Sequence, residues 1–214
     1  MSEPFVHKVG EPQISGLRAI YIVGPSSTGK TTLCNALATC LGLPPSMHIT
    51  EVARTVMKEQ GFTRADVHSL DMQHAIVKAQ VSKDREARRK AAAEATVLGQ
   101  AVLLSDRSAV DAVVYAALSE LKAKSGSTQT LISSADFQEI LPFYRSPRST
   151  FVLLRPIKEW VIDDGVRSLE DGEHCHDMFV RILKELNISY IELGEDCRWL
   201  EERIAAVRRG ASYM

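Results

Sequence analysis

Short apolar runs alternate with longer amphipathic stretches along most of the chain. Runs of aliphatic and β-branched residues bounded by glycine or polar residues predict buried strands, and stretches with apolar residues at helical spacing predict helices. Strands that alternate with helices favour an α/β fold, with a parallel sheet covered by helices on both faces in three layers. The predicted strands are Arg18–Val23, Met47–Ile49, Ala101–Leu104, Phe151–Leu154 and Tyr190–Glu192.

Start and stop signals refine the predicted helices. Thr50 is the expected N-cap of a helix that Gly61 ends. Thr63 and Asp66 have the spacing of a capping box for the long helix that follows. The polar segment KAKSGSTQ, residues 122–129, predicts a loop. Helices are predicted at Lys30–Leu41, Thr50–Gln60, Ala109–Lys122, Val180–Leu186 and Cys197–Arg208.

Composition and charge exclude several classes of protein. The chain has 214 residues, ample for one continuous core, and a formal net charge of -1 gives no general attraction for nucleic acid or anionic lipid. No stretch is apolar enough to span a bilayer, the first residues lack the apolar core of a signal peptide, and the four cysteines have no CxxC spacing. We expect a cytoplasmic protein without a membrane partner, with residues 1–17 as a flexible arm and 18–214 as one domain.

A phosphate-binding loop follows the first predicted strand and opens the first helix. The segment GPSSTGKT, residues 24–31, matches GxxxxGK[ST] at each fixed position. Its glycines let successive backbone N–H groups face phosphate, and the helix N-terminus adds partial positive charge. Lys30 would bridge the β- and γ-phosphates of ATP or GTP, and the Thr31 hydroxyl would ligate Mg²⁺. The predicted nucleotide contacts are Gly24, Ser26, Ser27, Thr28, Gly29, Lys30, Thr31 and Thr32.

An acidic residue is expected opposite this loop, at the end of another strand. Asp106 ends an apolar run, where a Walker-B-type acid faces the phosphates. It would bind Mg²⁺ through water, act as a base toward an acceptor hydroxyl, or do both. Arg107 follows it, and in small P-loop kinases an arginine at this place meets substrate or phosphate. A solvated pair at the end of a strand is the alternative.

Further segments resemble one family of P-loop proteins. The chain is similar to the family that includes the ribosylnicotinamide kinase domain of bacterial NadR-type proteins, called AAA_28. The resemblance runs from about residue 18 to 207, and its most specific part is W-x-x-x-D-G-x-R at 160–167. Residues 122–147 lie outside the matching pieces, so the choice of substrate could differ there. Besides the loop, the matching pieces are TEVAR (50–54), Gln80, LLSDRS (103–108), LLRPIKEWVIDDGVRS (153–168) and the pair Glu202-Arg203.

The resemblance implies the P-loop NTPase fold and an acceptor pocket beyond the second strand. Glu51 would accept hydrogen bonds from sugar hydroxyls or serve as the base, although an acid in a first helical turn also favours capping. Arg54 would pair with Glu51 or reach a substrate phosphate. In the family, a glutamine at the place of Gln80 points toward the pocket, and a polar contact between helices is the alternative.

The resemblance also implies a small lid near residues 156–172. Arg155 and Arg167 flank it, and a lid arginine over the γ-phosphate would stabilise the transferring group. Asp164 would lie in a turn that places Arg167 beside the substrate. Trp160 would stack on a planar base or pack the lid. Gly194, after the last strand, would let the backbone approach adenine or would form a simple turn.

Three functions fit these features. The first is a kinase that moves the γ-phosphate of ATP to a hydroxyl of a small molecule; the resemblance implies nicotinamide riboside or another nucleoside. The second is a nucleotide-dependent NTPase or switch without an acceptor, although the chain has neither an NKxD-type guanine motif nor a polybasic cluster beside an apolar anchor. The third is a nucleic-acid end kinase, which the near-neutral charge disfavours. The predicted catalytic residues are Lys30, Asp106, Arg167, Glu51 and Arg155.

Overall fold

The computed structural model describes residues 16–98, 101–123, 126–157 and 169–212. Five strands form one sheet in the order β2-β3-β1-β4-β5, and each neighbouring pair runs parallel. The predicted parallel sheet is therefore confirmed. The strands are β1 (Leu17–Val23), β2 (His48–Ile49), β3 (Ala101–Asp106), β4 (Ser149–Leu154) and β5 (Tyr190–Leu193).

Helices cover both faces of the sheet, which confirms the three-layer arrangement. On one face, α1 and α8 pack on the sheet through Leu37 and Val207. The other face carries a larger apolar cluster that includes side chains from α2, α3, α4, α6 and α7. The helices are α1 (Lys30–Cys40), α2 (Val52–Gln60), α3 (Leu70–Leu98), α4 (Ala109–Ala123), α5 (Ser127–Ile132), α6 (Ala135–Tyr144), α7 (Leu169–Glu185) and α8 (Leu200–Ser212).

The central strand shows why its sequence is apolar without interruption. Ala19 and Tyr21 of β1 belong to the cluster under the larger helical layer, whereas Ile20 and Ile22 belong to the cluster under α1 and α8. Successive side chains of a strand point to opposite faces, and both faces are covered here. The carboxyl end of β1 therefore emerges from the centre of the sheet, where the phosphate-binding loop begins.

Two helix starts differ from the predictions. Glu51, not Thr50, occupies the N-cap of α2 and makes no side-chain cap bond. The capping box of Thr63 and Asp66 is present, but it caps a short 3₁₀-helix at Arg64–His68, and α3 begins afterwards at Leu70. The local signal was correct, and the chain uses it for a separate turn before the long helix.

The predicted loop at 122–129 is partly helical. Helix α5 begins at Ser127, within the polar segment. The carboxylate of Glu120 explains this start, because it accepts hydrogen bonds of 2.8 Å from both the backbone N–H and the hydroxyl of Thr128. Helix α6 was not predicted; it begins at Ala135, and the hydroxyl of its N-cap residue, Ser134, accepts a hydrogen bond from the N–H of Phe137.

The predicted arm and lid fall largely outside the described residues. Residues 1–15 and 158–168 are not described, and Trp160, Asp164 and Arg167 lie in the second range. Helix α7 begins at Leu169, so the last residues of the predicted lid segment are helical. Among the described helices, none combines the length and apolar character needed to cross a membrane.

Candidate active site

The loop between β1 and α1 has a backbone that requires glycine at its first position. Gly24 has φ +137°, and a Cβ atom there would lie 2.6 Å from the carbonyl oxygen of Leu154. Gly29 is also left-handed, with φ 85°, and is the N-cap of α1. Ser26 and Ser27 are exposed along the loop. The strand, loop and helix thus have the context that a phosphate-binding motif needs.

Lys30 lies inside this loop. Its ammonium donates a hydrogen bond to the carbonyl oxygen of Pro25 and lies 3.5 Å from the hydroxyl of Thr28. The side chain is buried, and burial, followed by the nearby charge of Arg107, lowers the pKa of Lys30 to about 8. An anionic ligand in the loop would favour the charged form again.

Thr31 and Asp106 bring α1 and β3 together beside the loop. The Thr31 hydroxyl donates a 2.6 Å hydrogen bond to Oδ2 of Asp106. Asp106 is buried, and it pairs in register with Ile22 near the end of β1. Within the described residues, Oδ1 of Asp106 has no hydrogen-bond partner. The two residues therefore present hard oxygen atoms at the place where the sequence predicted a metal ion.

Arg107 follows in a left-handed conformation, with φ 83°. Several bonds hold this turn. The N–H of Arg107 donates to the carbonyl oxygen of Ile22 at 3.0 Å. Its own carbonyl oxygen accepts from the hydroxyl of Ser105 at 2.7 Å and, at 3.5 Å, from the amide of Gln80. Gln80 also donates to the Ser105 hydroxyl at 3.0 Å. Its amide thus supports the strand end that carries Asp106 and Arg107.

A cluster of ion pairs surrounds the Arg107 guanidinium. Oε1 of Glu51 accepts hydrogen bonds from Nε and Nη2 of Arg107 at 3.2 and 3.1 Å. Oε2 of Glu51 lies 2.9 Å from Nε of Arg54, which is exposed. On the other side, Oδ1 of Asp111 lies 3.5 Å from Nη1 of Arg107. Burial raises the pKa of Asp111, although Arg107 opposes the shift. The structure thus brings three residues predicted for the acceptor pocket, Glu51, Arg54 and Arg107, into contact.

Two residues of this region were missed in the sequence. Asp111 and Tyr115 stand four and eight positions after Arg107. Residues at this spacing share a helix face, so α4 carries both toward the arginine. The hydroxyl of Tyr115 lies 3.4 Å from the hydroxyl of Ser26 in the phosphate loop. The spacing of four residues after Arg107 is the signal in the sequence that could have identified them.

Arg155 and Gly194 lie at the opposite end of the strand order. Arg155 follows β4, and its guanidinium lies 3.5 Å from Glu173 of α7 and 3.6 Å from Glu192 of β5. Gly194 is buried beside it, and its φ of -124° needs no glycine. Arg155, one of the two arginines that flank the predicted lid, therefore forms its ion pairs on the β5 side of the loop, whereas Glu51 and Arg107 lie on the β3 side.

Comparison with known families identifies the chain's relatives. The model of the AAA_28 family, described as an AAA domain, matches residues 19–203. This range contains the phosphate loop, Glu51, Asp106 and Arg107, and it covers most of the chain. No curated protein matches the chain.

Solved structures share the fold at low sequence identity. NadR in complex with NR has 23% identity and a TM-score of 0.60, over 92% of this chain and 51% of NadR. NadR in complex with NAD and AMP-PNP has 20% identity and a TM-score of 0.58, over 92% and 49%. Deoxyadenosine kinase from M. mycoides with bound dATP has 13% identity and a TM-score of 0.54, over 91% and 99%. The chain therefore spans about half the length of the NadR chains.

The family match and the geometry of the site agree. A family model covers most of the chain, and the residues it covers form a phosphate loop with a buried lysine and an acid opposite the first turn of the helix. Kinases are among the proteins that share this fold. The chain belongs to the AAA_28 family, and it is a P-loop kinase or NTPase.

Proposed function

We propose that this protein transfers the γ-phosphate of ATP, with Mg²⁺, to a hydroxyl group of a nucleoside-class small molecule. One observation carries the proposal: a carboxylate–arginine pair stands beside the phosphate loop, on the β3 side. Glu51 follows β2 and Arg107 follows β3, and the two strands are neighbours in the sheet. An acceptor hydroxyl held by Glu51 would therefore lie next to the phosphate that Lys30 binds.

The residues at the loop fit a Mg²⁺ ion. This ion usually keeps several waters and binds through one or two carboxylates together with substrate phosphates. The hydroxyl of Thr31 and the carboxylate of Asp106 are oxygen ligands of this kind, and Oδ1 of Asp106 is free of hydrogen bonds within the described residues. When bound, Mg²⁺ supplies charge neutralisation on the β- and γ-phosphates.

The chain's own residues would position and polarise an in-line transfer. Lys30 binds the β- and γ-phosphates. The acceptor oxygen attacks the γ-phosphorus while the bond to the bridging oxygen of the leaving ADP breaks. The acceptor's proton passes to a carboxylate, either Glu51 or Asp106. Arg107 orients Glu51, because its guanidinium contacts Oε1 through two N–H groups. An arginine of the lid, Arg167, would stabilise charge on the moving group.

The nucleoside class is supported by the resemblance and by the neighbours of the fold. The family includes ribosylnicotinamide kinase domains, a structure of NadR contains NR, and a third structural neighbour is a deoxyadenosine kinase. Nicotinamide riboside is therefore the first acceptor to test. ATP is the proposed phosphate donor, and GTP is the alternative donor for the same loop.

The test measures phosphoryl transfer with defined acceptors. The protein, Mg²⁺ and γ-labelled ATP are incubated with nicotinamide riboside and a panel of ribo- and deoxyribonucleosides, and labelled product and ADP are quantified. We expect one nucleoside to raise ADP release with one labelled product per ADP. Lys30→Ala should abolish this turnover, and Lys78→Ala, a change of an exposed lysine on α3, should not.

Two other outcomes would replace the proposal. ADP release that no nucleoside changes would favour an NTPase or switch module. Label transferred only to the end of an oligonucleotide would favour a nucleic-acid end kinase. Both arms use the same reaction mixture, so the three functions are separated in one experiment.

A further inference from the structure

A cavity of about 320 Å³ lies between the phosphate loop and the turn that joins β5 to α8. Gly29 and Thr32 line it from the loop and the first turn of α1, and Arg198 and Trp199 line it from the turn. Arg203 of α8 also contributes to the wall. The volume is in the range of small-molecule sites. None of these turn residues has a role in the proposed acceptor site.

The cavity lies on the side of the transferred phosphate where the nucleoside part of the donor is expected. The inference rests on the proposed function, in which the acceptor lies on the β3 side of the loop. In-line transfer puts the acceptor and the leaving ADP on opposite sides of the γ-phosphorus. The nucleoside part of the donor must then extend away from Glu51, toward β4 and β5. The cavity lies on that side, because residues of the phosphate loop and of the turn after β5 line it together.

Trp199 gives the cavity an aromatic wall. The residue is 63% exposed, whereas most large apolar residues of the described chain are buried. An indole ring offers a planar face on which any nucleobase can stack. An exposed tryptophan beside a phosphate loop therefore fits a base better than it fits a packing role.

Arg203 links the aromatic turn to the phosphate loop. The arginine is 2% exposed. Its Nη1 donates a 2.8 Å hydrogen bond to the carbonyl oxygen of Thr28, and its Nε donates a 2.9 Å bond to that of Cys197, two residues before Trp199. Burial lowers the pKa of Arg203, so keeping this charge in place opposes folding. A planar guanidinium can join two carbonyl groups in a fixed geometry, which a lysine cannot reproduce.

We propose that Arg203 is a positioning residue of the donor site, which holds the turn carrying Trp199 at a fixed distance from the phosphate loop. A purine base stacked on Trp199 and a triphosphate bound at Lys30 are then bound as one unit. Base binding stabilises the loop arrangement, and phosphate binding stabilises the turn. Losing the link uncouples the two halves of the nucleotide even when both local contacts survive.

The experiment measures this coupling with two ligands. Dissociation constants for ATP and for inorganic tripolyphosphate, each with Mg²⁺, are measured by calorimetry on the full chain. Trp199→Ala should weaken the binding of ATP by at least about fivefold, since base stacking is worth about 1–3 kcal/mol. The same change should leave the binding of tripolyphosphate unchanged. Trp199→Phe should restore most of the loss. Arg209→Met, which changes an exposed arginine of the same helix, is the matched control.

Variants of Arg203 test the link itself. Arg203→Met and Arg203→Lys should both reduce the preference for ATP over tripolyphosphate. On the Arg203→Lys background, Trp199→Ala should cost less ATP affinity than it does in the parent. Arg203→Lys keeps the charge and a long side chain, so it can still test the link if Arg203→Met does not fold. A lower melting temperature with unchanged affinities for both ligands would show that Arg203 is only structural.

The outcomes separate this inference from the proposed function. If the losses of ATP affinity in Trp199→Ala and Arg203→Lys multiply in the double variant, the coupling is refuted, even if nucleoside phosphorylation is observed. Coupled effects in a protein that phosphorylates no nucleoside would support the donor site and refute the acceptor. A loss of tripolyphosphate affinity in Trp199→Ala would also refute the inference, because the indole would then act on the phosphates.

Discussion

The hydroxyl of Thr31 donates a 2.6 Å hydrogen bond to Oδ2 of Asp106, and this bond joins the first turn of α1 to the carboxyl end of β3. The second carboxylate oxygen, Oδ1, has no hydrogen-bond partner within the described residues. A buried oxygen without a partner normally costs about 1–3 kcal/mol. A bound Mg²⁺ coordinated directly or through water would remove that cost, so the two residues should act together toward the metal.

Asp106→Asn should fold and lose most activity. The amide keeps the shape of the side chain and removes the charge that Mg²⁺ requires. The measurement is phosphoryl transfer against Mg²⁺ concentration, where we expect a lower maximum and a higher half-saturating concentration. Thr31→Ala should shift the Mg²⁺ dependence in the same direction, and Thr39→Ala, which removes an exposed hydroxyl from α1, should not. An active Asp106→Asn protein with the parent's Mg²⁺ dependence would move the metal role elsewhere, first to Glu51.

In the protein without bound nucleotide, the buried charge of Lys30 should lower the free energy of unfolding. Its pKa is about 8 in the folded chain against 10.5 for an ordinary lysine. Below pH 8 both states are protonated, and the full cost of burying the charge, roughly 3 kcal/mol, is present. Between pH 8 and 10.5 the unfolded chain binds more protons, so the free energy of unfolding rises with pH.

Lys30→Met should therefore be more stable than the parent at pH 7, by as much as about 3 kcal/mol. The difference should shrink as the pH rises through this window. Urea unfolding at pH 7 and pH 9.5 measures it, with Lys78→Met as the control for a general loss of charge. The same variant should bind ATP much more weakly and a nucleoside acceptor as before. A difference in stability that does not change with pH would show that the buried charge is not its source.

Gly24 should be the least replaceable residue of the loop for stability. Gly24→Ala brings a Cβ atom to 2.6 Å from the main-chain oxygen of Leu154, which cannot move without displacing β4. We expect a loss of more than about 2 kcal/mol in the free energy of unfolding and no measurable ATP binding. Gly61→Ala is the control, since Gly61 also has a positive φ of 76° but has nothing within 4 Å of its added methyl. That change should cost only about 1–2 kcal/mol and preserve activity.

Glu51→Gln should reduce transfer to the acceptor more than it reduces ATP binding. The amide keeps the size of the side chain and removes the charge that faces Arg107 and an acceptor hydroxyl. We expect a fall in kcat/KM for the nucleoside of about 10²-fold or more, in the range of a lost general base. Glu59→Gln changes an exposed acid of α2 and should have no effect. An unchanged rate in Glu51→Gln would assign the proton to Asp106.

The phosphate loop could be predicted from the sequence because its requirements are local. Glycine at 24 and 29, lysine at 30 and threonine at 31 are needed at fixed spacing by the backbone that wraps phosphate. The strand before it and the helix after it follow from short apolar runs and their boundaries. The placement of Asp106 opposite the loop could also be predicted, although the two are far apart in the sequence, because parallel strands end at one edge of the sheet.

Contacts between distant segments could not be predicted in the same way. Nothing near Arg203 in the sequence indicates that it bonds to Thr28, because the contact depends on how α8 packs over α1. The polar composition of residues 122–129 predicted a loop, yet α5 begins at Ser127, because Glu120, eight residues before Thr128, accepts the hydrogen bond of the Thr128 N–H. The ion pairs of Arg155 with Glu173 and Glu192 likewise join three separate elements.

Arg167 should act on the transition state, whereas Arg155 should act on structure. Arg155 has carboxylate partners on α7 and β5, and it is 47% exposed, so its loss should change kcat by only a small factor. Arg167, which lies outside the described residues, is predicted from the W-x-x-x-D-G-x-R element to reach the γ-phosphate when the lid closes. Arg167→Ala should then lower kcat strongly and leave the Kd of ATP nearly unchanged. Catalytic arginines of this kind contribute about 10³–10⁵ in rate, and we expect the lower end.

The measurement compares kcat with the Kd of ATP for Arg167→Ala, Arg155→Ala and Arg181→Ala, the last being an exposed arginine of α7 whose partner is Glu185 in the next turn. A charge that forms its contact only in the closed state contributes to kcat and not to ground-state affinity, because the open complex already binds the nucleotide. A higher Kd with unchanged kcat in Arg167→Ala would make this arginine a ground-state clamp. A strong loss of kcat in Arg155→Ala instead would mean that Arg155 leaves Glu173 and Glu192 to reach the phosphate, and the role of the lid arginine would pass to the end of β4.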